Sequence, residues 1–475
     1  MEPEKLIYKL RDLKAAHPRL IPMEKYNPGF VGELVSVQQQ ARDFARKHVD
    51  PVALEIDAKI EADSNWFPWD VVRAALPYRF LSYIIPKPFG GVGYLTTHFA
   101  VLMEELCAHC PGIANIFGAH ALGLSPLLMS PDIRHYAGYM GEVAEAEKKG
   151  EPVIFALAIT EPGAGSDVED KEELATAHLS TFAKKVDGGY ILNGRKVFIS
   201  NGGIARYTWV GGVMDRKNPV ESVVSFVVPD DAKGFSVGRV EKKLGQRACP
   251  AAELIFEDVF IPEKDRVGDE GEGEKLISAV LGGSRAPVAA IATGIARGAF
   301  ERLLLYLNDN KVNGRYLFEE QWVQLALADL MTKLQISRAL YLDATMCCDA
   351  LGVPKLMSHP SMKMLDLVPR FIMMSAPVRR LFSTQRMYKF VKNLAEKNVS
   401  PEDVALVASL SSIAKYTASD LAMEITSKAI DIAGPDGPLR EYGLEKAYRD
   451  AKLTQIYEGT NQVNRLFAFK NLFLQ

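Results

Sequence analysis

Near its C-terminus the chain reads AKLTQIYEGTNQ, and Ile456-Tyr457-Glu458-Gly459-Thr460 sets one carboxylate between an aromatic ring and a glycine where a helical pattern breaks off. Read locally, glutamate before glycine is a solvated helix end. It becomes acid–base chemistry only if the rest of the chain builds a pocket around it. Two other stretches carry candidate chemistry. ITEPGAGSD, residues 159–167, is a polar, glycine-rich turn after an apolar run. There, closely approaching amides and the hydroxyls of Thr160 and Ser166 can donate to a phosphate. The same string serves equally as a surface loop, being neither a Walker loop nor a dinucleotide fingerprint. In KVFISNG, residues 196–202, Phe198 can pack on a flat cofactor while Ser200 hydrogen-bonds its edge; taken singly, a strand closed by an Asn-Gly turn is the stronger reading. His120 is a polar residue in an apolar run and either touches a substrate or is a hydrogen-bonded buried histidine, the second reading being stronger. Cys107-Ala-His-Cys110 is half of a zinc site with no second pair to complete it, so no metal is assigned.

The elements that must position these residues fall into three zones. From Phe30 to about Gly150 the rhythm is helical: Val37, Ala41, Phe44 and Ala45 recur at spacings of three and four. HFAVLMEELCAHCPGIANIFGAHALGLSPLL is more apolar, predicting a helix buried on most sides and broken near Cys110-Pro111-Gly112. After Pro152 come short runs rich in β-branched and aromatic residues (VIFALAI, YILNGRKVFIS, YTWVGGVM, SVVSFVVP, AELIFEDVFIP), which predict a β-barrel-like or sandwich domain. From Gly271 the helical pattern returns, and RAPVAAIATGIARGAFERLLLYL has small residues where a neighbouring helix packs closely. The boundaries are 1–153 all-α, 154–268 β and 269–475 α, an α+β class that is mostly α.

Composition bounds the partners. The chain has 475 residues, 48% hydrophobic and 24% charged, and a net charge of −3, which implies no polyanion-binding surface overall. Five cysteines are too few for a disulfide framework. The charged N-terminus lacks an apolar signal region, and no apolar run is read as long enough to cross a bilayer. The expected location is the cytoplasm or an organelle matrix.

Taken together, ITEPGAGSD, NGRKVFISNGG, ELIFEDVFIP, AIDIAGPDG and RDAKLTQIYEGTNQ resemble, in order and spacing, the signatures of the FAD-dependent acyl-CoA dehydrogenase family, with FARKHVDPVA and IPKPFGGVGY as further echoes. The resemblance runs from about Phe30 to the end. It implies an N-terminal α domain, a middle β domain and a C-terminal four-helix bundle. It also implies a homotetramer (or homodimer), FAD between the β domain and the bundle, an acyl-CoA substrate, and an electron-transferring flavoprotein as acceptor. Thr160 and Ser166 then sit beside the flavin and the pantetheine path, Phe198 and Ser200 against the flavin ring, and Gln321, Thr460 and Gln462 on FAD. Glu458 becomes the base that removes the α-proton of the thioester, with Tyr457 beside it and Arg285 as a partner near the carboxylate. Arg285 reads equally as a cap on a buried helix start. A carboxylate in an apolar pocket has a raised pKa, which makes it a stronger base. The position that carries the base in a few family members is Ser284 here, which cannot do that work. An oxidase or an enoyl-CoA reductase shares this fold. A non-catalytic nucleic-acid-binding relative is the rival from another class, disfavoured by the intact Glu458 and Ser200.

Three departures stand out. The family's Arg-x-x-Phe-Gly box reads Asn310-Lys-Val-Asn-Gly314, with Lys311 or Arg315 as the available cations. Asp431 replaces a glutamine near the FAD pyrophosphate. About residues 352–401 are inserted between bundle helices, methionine-rich and basic (Arg370, Arg379, Arg380, Arg386, Lys389, Lys392). A helical pair covering the bundle or a subunit interface is the favoured reading of this insertion, over a partner-docking or membrane-surface segment. Thr96–Ser125, which lines the acyl pocket in the family, contains no Lys or Arg, so a neutral acyl group is expected.

Overall fold

In the computed structural model, which describes residues 3–473, the N-terminal third is helical. Three of its helices matter for the site: α1 (Pro28–Phe44), α2 (Thr96–His109) and α3 (Pro111–Met129). Asn27 caps α1 by accepting from Phe30 N at 3.2 Å, and Val31, Leu34, Val37, Ala41 and Phe44 form its buried stripe. Helix α2 is buried on every side after its first residue, and its free N-terminal amides are satisfied from far away in sequence. Asp349 accepts from Thr96 N at 2.8 Å, from Thr97 N at 2.9 Å and from Thr97 Oγ1 at 2.6 Å. The break expected near Cys110 is a corner, where Pro111 starts α3 at the position a helix tolerates proline best.

The middle domain is one mixed seven-stranded sheet: β1 (Phe155–Ala158), β2 (Phe182–Val186), β3 (Gly189–Ser200), β4 (Tyr207–Val213), β5 (Val223–Pro229), β6 (Phe235–Val240) and β7 (Ala251–Pro262). The strand order is β1-β4-β2-β3-β7-β6, with β5 also on β4. Strand β4 is buried along its whole length, with Trp209 at its centre. The β3–β7 ladder slips between Lys196 and Ile199, a bulge that becomes important below.

The C-terminal unit contains α4 (Gly273–Asp309), α5 (Gln321–Leu351), α6 (Gln385–Asn398), α7 (Pro401–Ala433), α8 (Leu444–Thr454) and α9 (Asn461–Phe473). Gly294 and Gly298 let α4 lie flush on α2: a Cβ at either would fall 2.4 Å from Glu104 O or 2.2 Å from Ala108 O. Buried charges lock the same seam. Arg338 and Arg297 donate to Glu104 and Glu105 at 2.9 Å and 2.8 Å, and Arg42 of α1 reaches Glu105 at 2.8 Å. No apolar run is uninterrupted over a bilayer's width, although α3 and α4 are long and apolar enough by length and average composition. Yet 67% and 72% of their most apolar windows are buried inside the protein, as in core helices.

The inserted segment forms short helical turns followed by α6. It packs outward from the bundle onto the N-terminal domain. The Phe382 ring sits 6.0 Å from that of Phe89, Arg370 pairs with Glu145, and Lys392 reaches Glu272 at 2.6 Å.

Candidate active site

Helix α8 ends at Thr454, and four residues later the backbone turns left-handed twice in succession, at Glu458 (φ 55°) and Gly459 (φ 75°). Holding a glutamate there costs on the order of 1–2 kcal/mol, so neighbouring bonds must fix it. Asn464 Nδ2 lies 3.2 Å from Glu458 O and 2.8 Å from Gly459 O, while Lys415 Nζ donates to Gly459 O at 2.6 Å. Only glycine fits at 459, because a Cβ would meet Glu169 Oε2 at 2.6 Å. The reversal turns the half-buried Glu458 side chain into a cavity that opens between the helices and the sheet. There Oε2 accepts from Ser284 Oγ of α4 at 2.5 Å.

Behind this carboxylate lies a charge cluster that sequence reasoning missed. Arg285, expected from the sequence as a partner near the carboxylate, acts on Glu458 through its charge rather than through a direct bond. It is buried, donates to Glu169 Oε2 at 2.8 Å and to Ser412 Oγ at 3.2 Å, and stacks on Phe467 at 4.4 Å. Burial raises the pKa of Glu169, opposed by Arg285. For Glu458 burial is again the main cause and lifts the carboxyl to about 7; the Ser284 hydrogen bond opposes it, the Glu169 charge adds to it, and Arg285 and Lys415 oppose it. Burial also brings Lys415 down to about 7. A carboxyl poised there accepts a proton at neutral pH far better than an ordinary glutamate does.

The cavity has a volume of about 560 Å³ and walls that are mostly apolar. Its far end is formed by Phe99, Leu128, Ile291 and Val407, together with Val353 and Pro354 at the root of the insertion. Lys243 and Lys452 are its cations; Lys243 is committed to Gln246 O at 2.8 Å and Lys452 to Gln455 Oε1 at 2.9 Å. Tyr457, Asn115 and Gln246 form a polar corner, with the Tyr457 hydroxyl 3.4 Å from Gln246 Nε2 and 3.5 Å from Asn115 Nδ2. On the sheet side the bulge in β3 forces Phe198 to φ 58° and leaves its ring 61% exposed, with the Ser200 hydroxyl exposed two residues on. An aromatic face held out by strained backbone, beside a hydroxyl at a cavity wall, fits a flat flavin ring.

Other candidate residues lie elsewhere. Thr160 and Ser166 are half-buried on the loop after β1, outside the cavity wall. That loop is pinned by buried Glu161, which accepts from Lys196 Nζ at 2.9 Å and Ser180 Oγ at 2.7 Å, and its continuation delivers Glu169 to Arg285. His120 as a substrate contact is overturned: Nδ1 accepts from Phe155 N at 2.9 Å and Nε2 donates to Leu81 O at 2.7 Å. Burial drops its pKa to about 4, so a neutral imidazole ties α3 to the sheet. Gln321 and Gln462 are exposed away from the cavity, and Thr460 caps α9 by accepting from Val463 N at 3.3 Å. Asn310–Gly314 belongs to an exposed hairpin turning at Asn313-Gly314, with Lys311 over the Tyr316 ring at 4.3 Å. Asp431 borders a separate hollow between α5 and α7 with Lys333 and Lys428.

Residues 33–133 match the acyl-CoA dehydrogenase N-terminal domain, 156–259 the middle domain, and 271–365 with 378–473 the C-terminal domain. The chain is 30% identical over 439 residues to the cyclohex-1-ene-1-carbonyl-CoA dehydrogenase of Syntrophus aciditrophicus, covering 92% of this chain and 89% of that protein. It is 29% identical to the short-chain-specific acyl-CoA dehydrogenase of Clostridium acetobutylicum, covering 92% and 97%. The solved butyryl-CoA dehydrogenase of Megasphaera elsdenii superposes with a TM-score of 0.74 at 26% identity, covering 93% of this chain and 98% of that one. With its domain order and a buried carboxylate facing an apolar cavity below an exposed aromatic strand bulge, the chain belongs to the acyl-CoA dehydrogenase family of oxidoreductases.

Proposed function

We propose that the protein dehydrogenates the Cα–Cβ bond of a neutral acyl-CoA thioester, with Glu458 as the base. The observation that carries this reading is the Glu458 carboxyl, half-buried, bonded to Ser284 and lifted to about 7 inside an apolar cavity. Its Oε atoms take the α-proton. The Ser284 hydroxyl holds the carboxylate in one orientation, and the Glu169–Arg285 pair keeps the cation behind it from overstabilising the ionised form. The apolar walls exclude water, so the base meets a C–H rather than solvent. FAD, which Phe198 and Ser200 would hold, would supply the acceptor for the β-hydrogen as hydride.

A neutral chain or ring is supported by the mostly apolar walls and by the prior commitments of Lys243 and Lys452. Electrons then pass to an electron-transferring flavoprotein. A homotetramer whose neighbouring subunit completes the adenosine half of the FAD site is consistent with Gln321, Gln462 and the 311–316 hairpin lying exposed on the surface. The test is Glu458→Gln, mixed anaerobically with straight, branched, aromatic and alicyclic acyl-CoA thioesters. Ligand binding persists while bleaching of the flavin band slows by about 10²–10⁴-fold, the contribution of a positioned base. Near-normal bleaching overturns the assignment.

A further inference from the structure

The sequence favours a helical pair covering the bundle or a subunit interface for the inserted segment, over a partner-docking or membrane-surface segment, and the structure leaves much of its apolar surface uncovered. Several of its large apolar side chains point outward: Leu367 is 83% exposed and Phe371 77%, with Met364, Leu381 and Phe390 also exposed. Only Leu356, Met373, Phe382 and Tyr388 of its larger side chains are fully buried among the described residues. Helix α6 shows the division within one element. Tyr388 points inward and donates to Glu272 at 3.1 Å, whereas Arg386, Lys389, Phe390, Asn393 and Lys397 line the opposite, exposed face at helical spacing.

Charge is concentrated in the same segment. Residues 363–397 carry eight Lys and Arg against two Asp and Glu, in a chain whose net charge is −3. Arg370 and Lys392 are tied inward to Glu145 and Glu272, but Arg379, Arg380, Arg386 and Lys389 stand exposed without an ion pair among the described residues. A symmetric contact with a second copy would press this cationic patch against itself. Exposed Leu and Phe set among unpaired Arg and Lys suit a surface that is negatively charged outside and apolar just beneath.

We propose that this face, Met364 to Phe390, docks the enzyme on an anionic phospholipid surface, with Leu367 and Phe371 entering the headgroup boundary and Arg379, Arg380, Arg386 and Lys389 meeting phosphates. The docking is independent of the chemistry at Glu458.

The test is flotation of the purified holoenzyme with vesicles of phosphatidylcholine alone or mixed with phosphatidylglycerol. The enzyme floats with the mixed vesicles, and raised salt weakens the association. Arg379→Gln with Arg380→Gln lowers partitioning about thirtyfold, the product of roughly fivefold for each charge lost near the surface. Leu367→Asp with Phe371→Asp abolishes flotation. Both doubles keep their flavin, their native mass and their acyl-CoA bleaching in solution. Equal binding to neutral and anionic vesicles, or none to either, overturns the proposal. A change of native mass in the Leu367→Asp, Phe371→Asp double variant would reassign the face to a subunit interface. Loss of electron-transferring flavoprotein binding in that variant, without wild-type flotation, would reassign it to that protein.

Discussion

Replacing Ser284 by alanine removes the one hydrogen bond to the Glu458 carboxylate among the described residues, a 2.5 Å contact that favours the ionised form. A hydrogen bond to a charged group contributes about 1.5–3 kcal/mol, and each pKa unit corresponds to about 1.4 kcal/mol, so the loss raises the carboxyl by about one to two units. From its starting value of about 7 the group moves to about 8–9. At neutral pH the ionised fraction then falls from about one half to between a tenth and a hundredth, slowing proton removal roughly 5–50-fold. The sign is definite: a base must be deprotonated, so the ascending limb of kcat/KM against pH moves to higher pH. Above that limb the variant equals or exceeds wild type, because the remaining carboxylate is the stronger base. The assay is the rate of anaerobic acyl-CoA-dependent bleaching at subsaturating substrate from pH 6 to 10 in wild type and Ser284→Ala. An unmoved midpoint, or one displaced to lower pH, refutes the claim that this hydroxyl sets the base.

Glu169→Gln acts in the opposite direction, since it removes a negative neighbour and releases Arg285 to stabilise the ionised Glu458. The ascending limb of the same pH profile moves to lower pH, and a basic shift refutes the role given to the pair. Gly294→Ala drives a methyl to 2.4 Å from Glu104 O and should cost about 1–3 kcal/mol as overpacking between α2 and α4. Thermal unfolding of the holoenzyme reads this as a lowered Tm, and an unchanged Tm would mean that the two helices are free to slide apart.

The three-zone architecture was legible because each zone has its own periodicity. The 3.6-residue stripe of α1, the β-branched runs of the sheet and the small residues of α4 are local signals that tertiary packing reinforces. Glu458 was legible through the motifs around it. Its charge environment was not, for identifiable reasons. Glu169 lies in SDVEDKEEL, which reads as a solvated acidic turn, and only the fold carries it to Arg285. Lys415 looks like any helix lysine until Gly459 O arrives from 44 residues away. The strain at Phe198 depends on a register slip between β3 and β7, a property of two strands together. For His120 the stronger of the two readings, a hydrogen-bonded buried histidine, is the one its backbone partners support. For the insertion, composition left two readings open, because it does not say which side of a helix faces out.

Helix α2 depends on residues made long after it. Its start is capped by Asp349, and Glu104 and Glu105 are neutralised partly by Arg338 and Arg297, so a nascent chain that has only reached the sheet holds an apolar helix with uncapped amides and, although Arg42 already reaches Glu105, without two of the guanidinium partners of its acids. The helix therefore gains its cap and the last of its charge partners only once more than two thirds of the polypeptide has left the ribosome. The N-terminal domain alone would carry that helix without its cap and without two of its counter-charges, so the boundary between the regions is a seam in composition rather than a line along which the protein is expected to be cut.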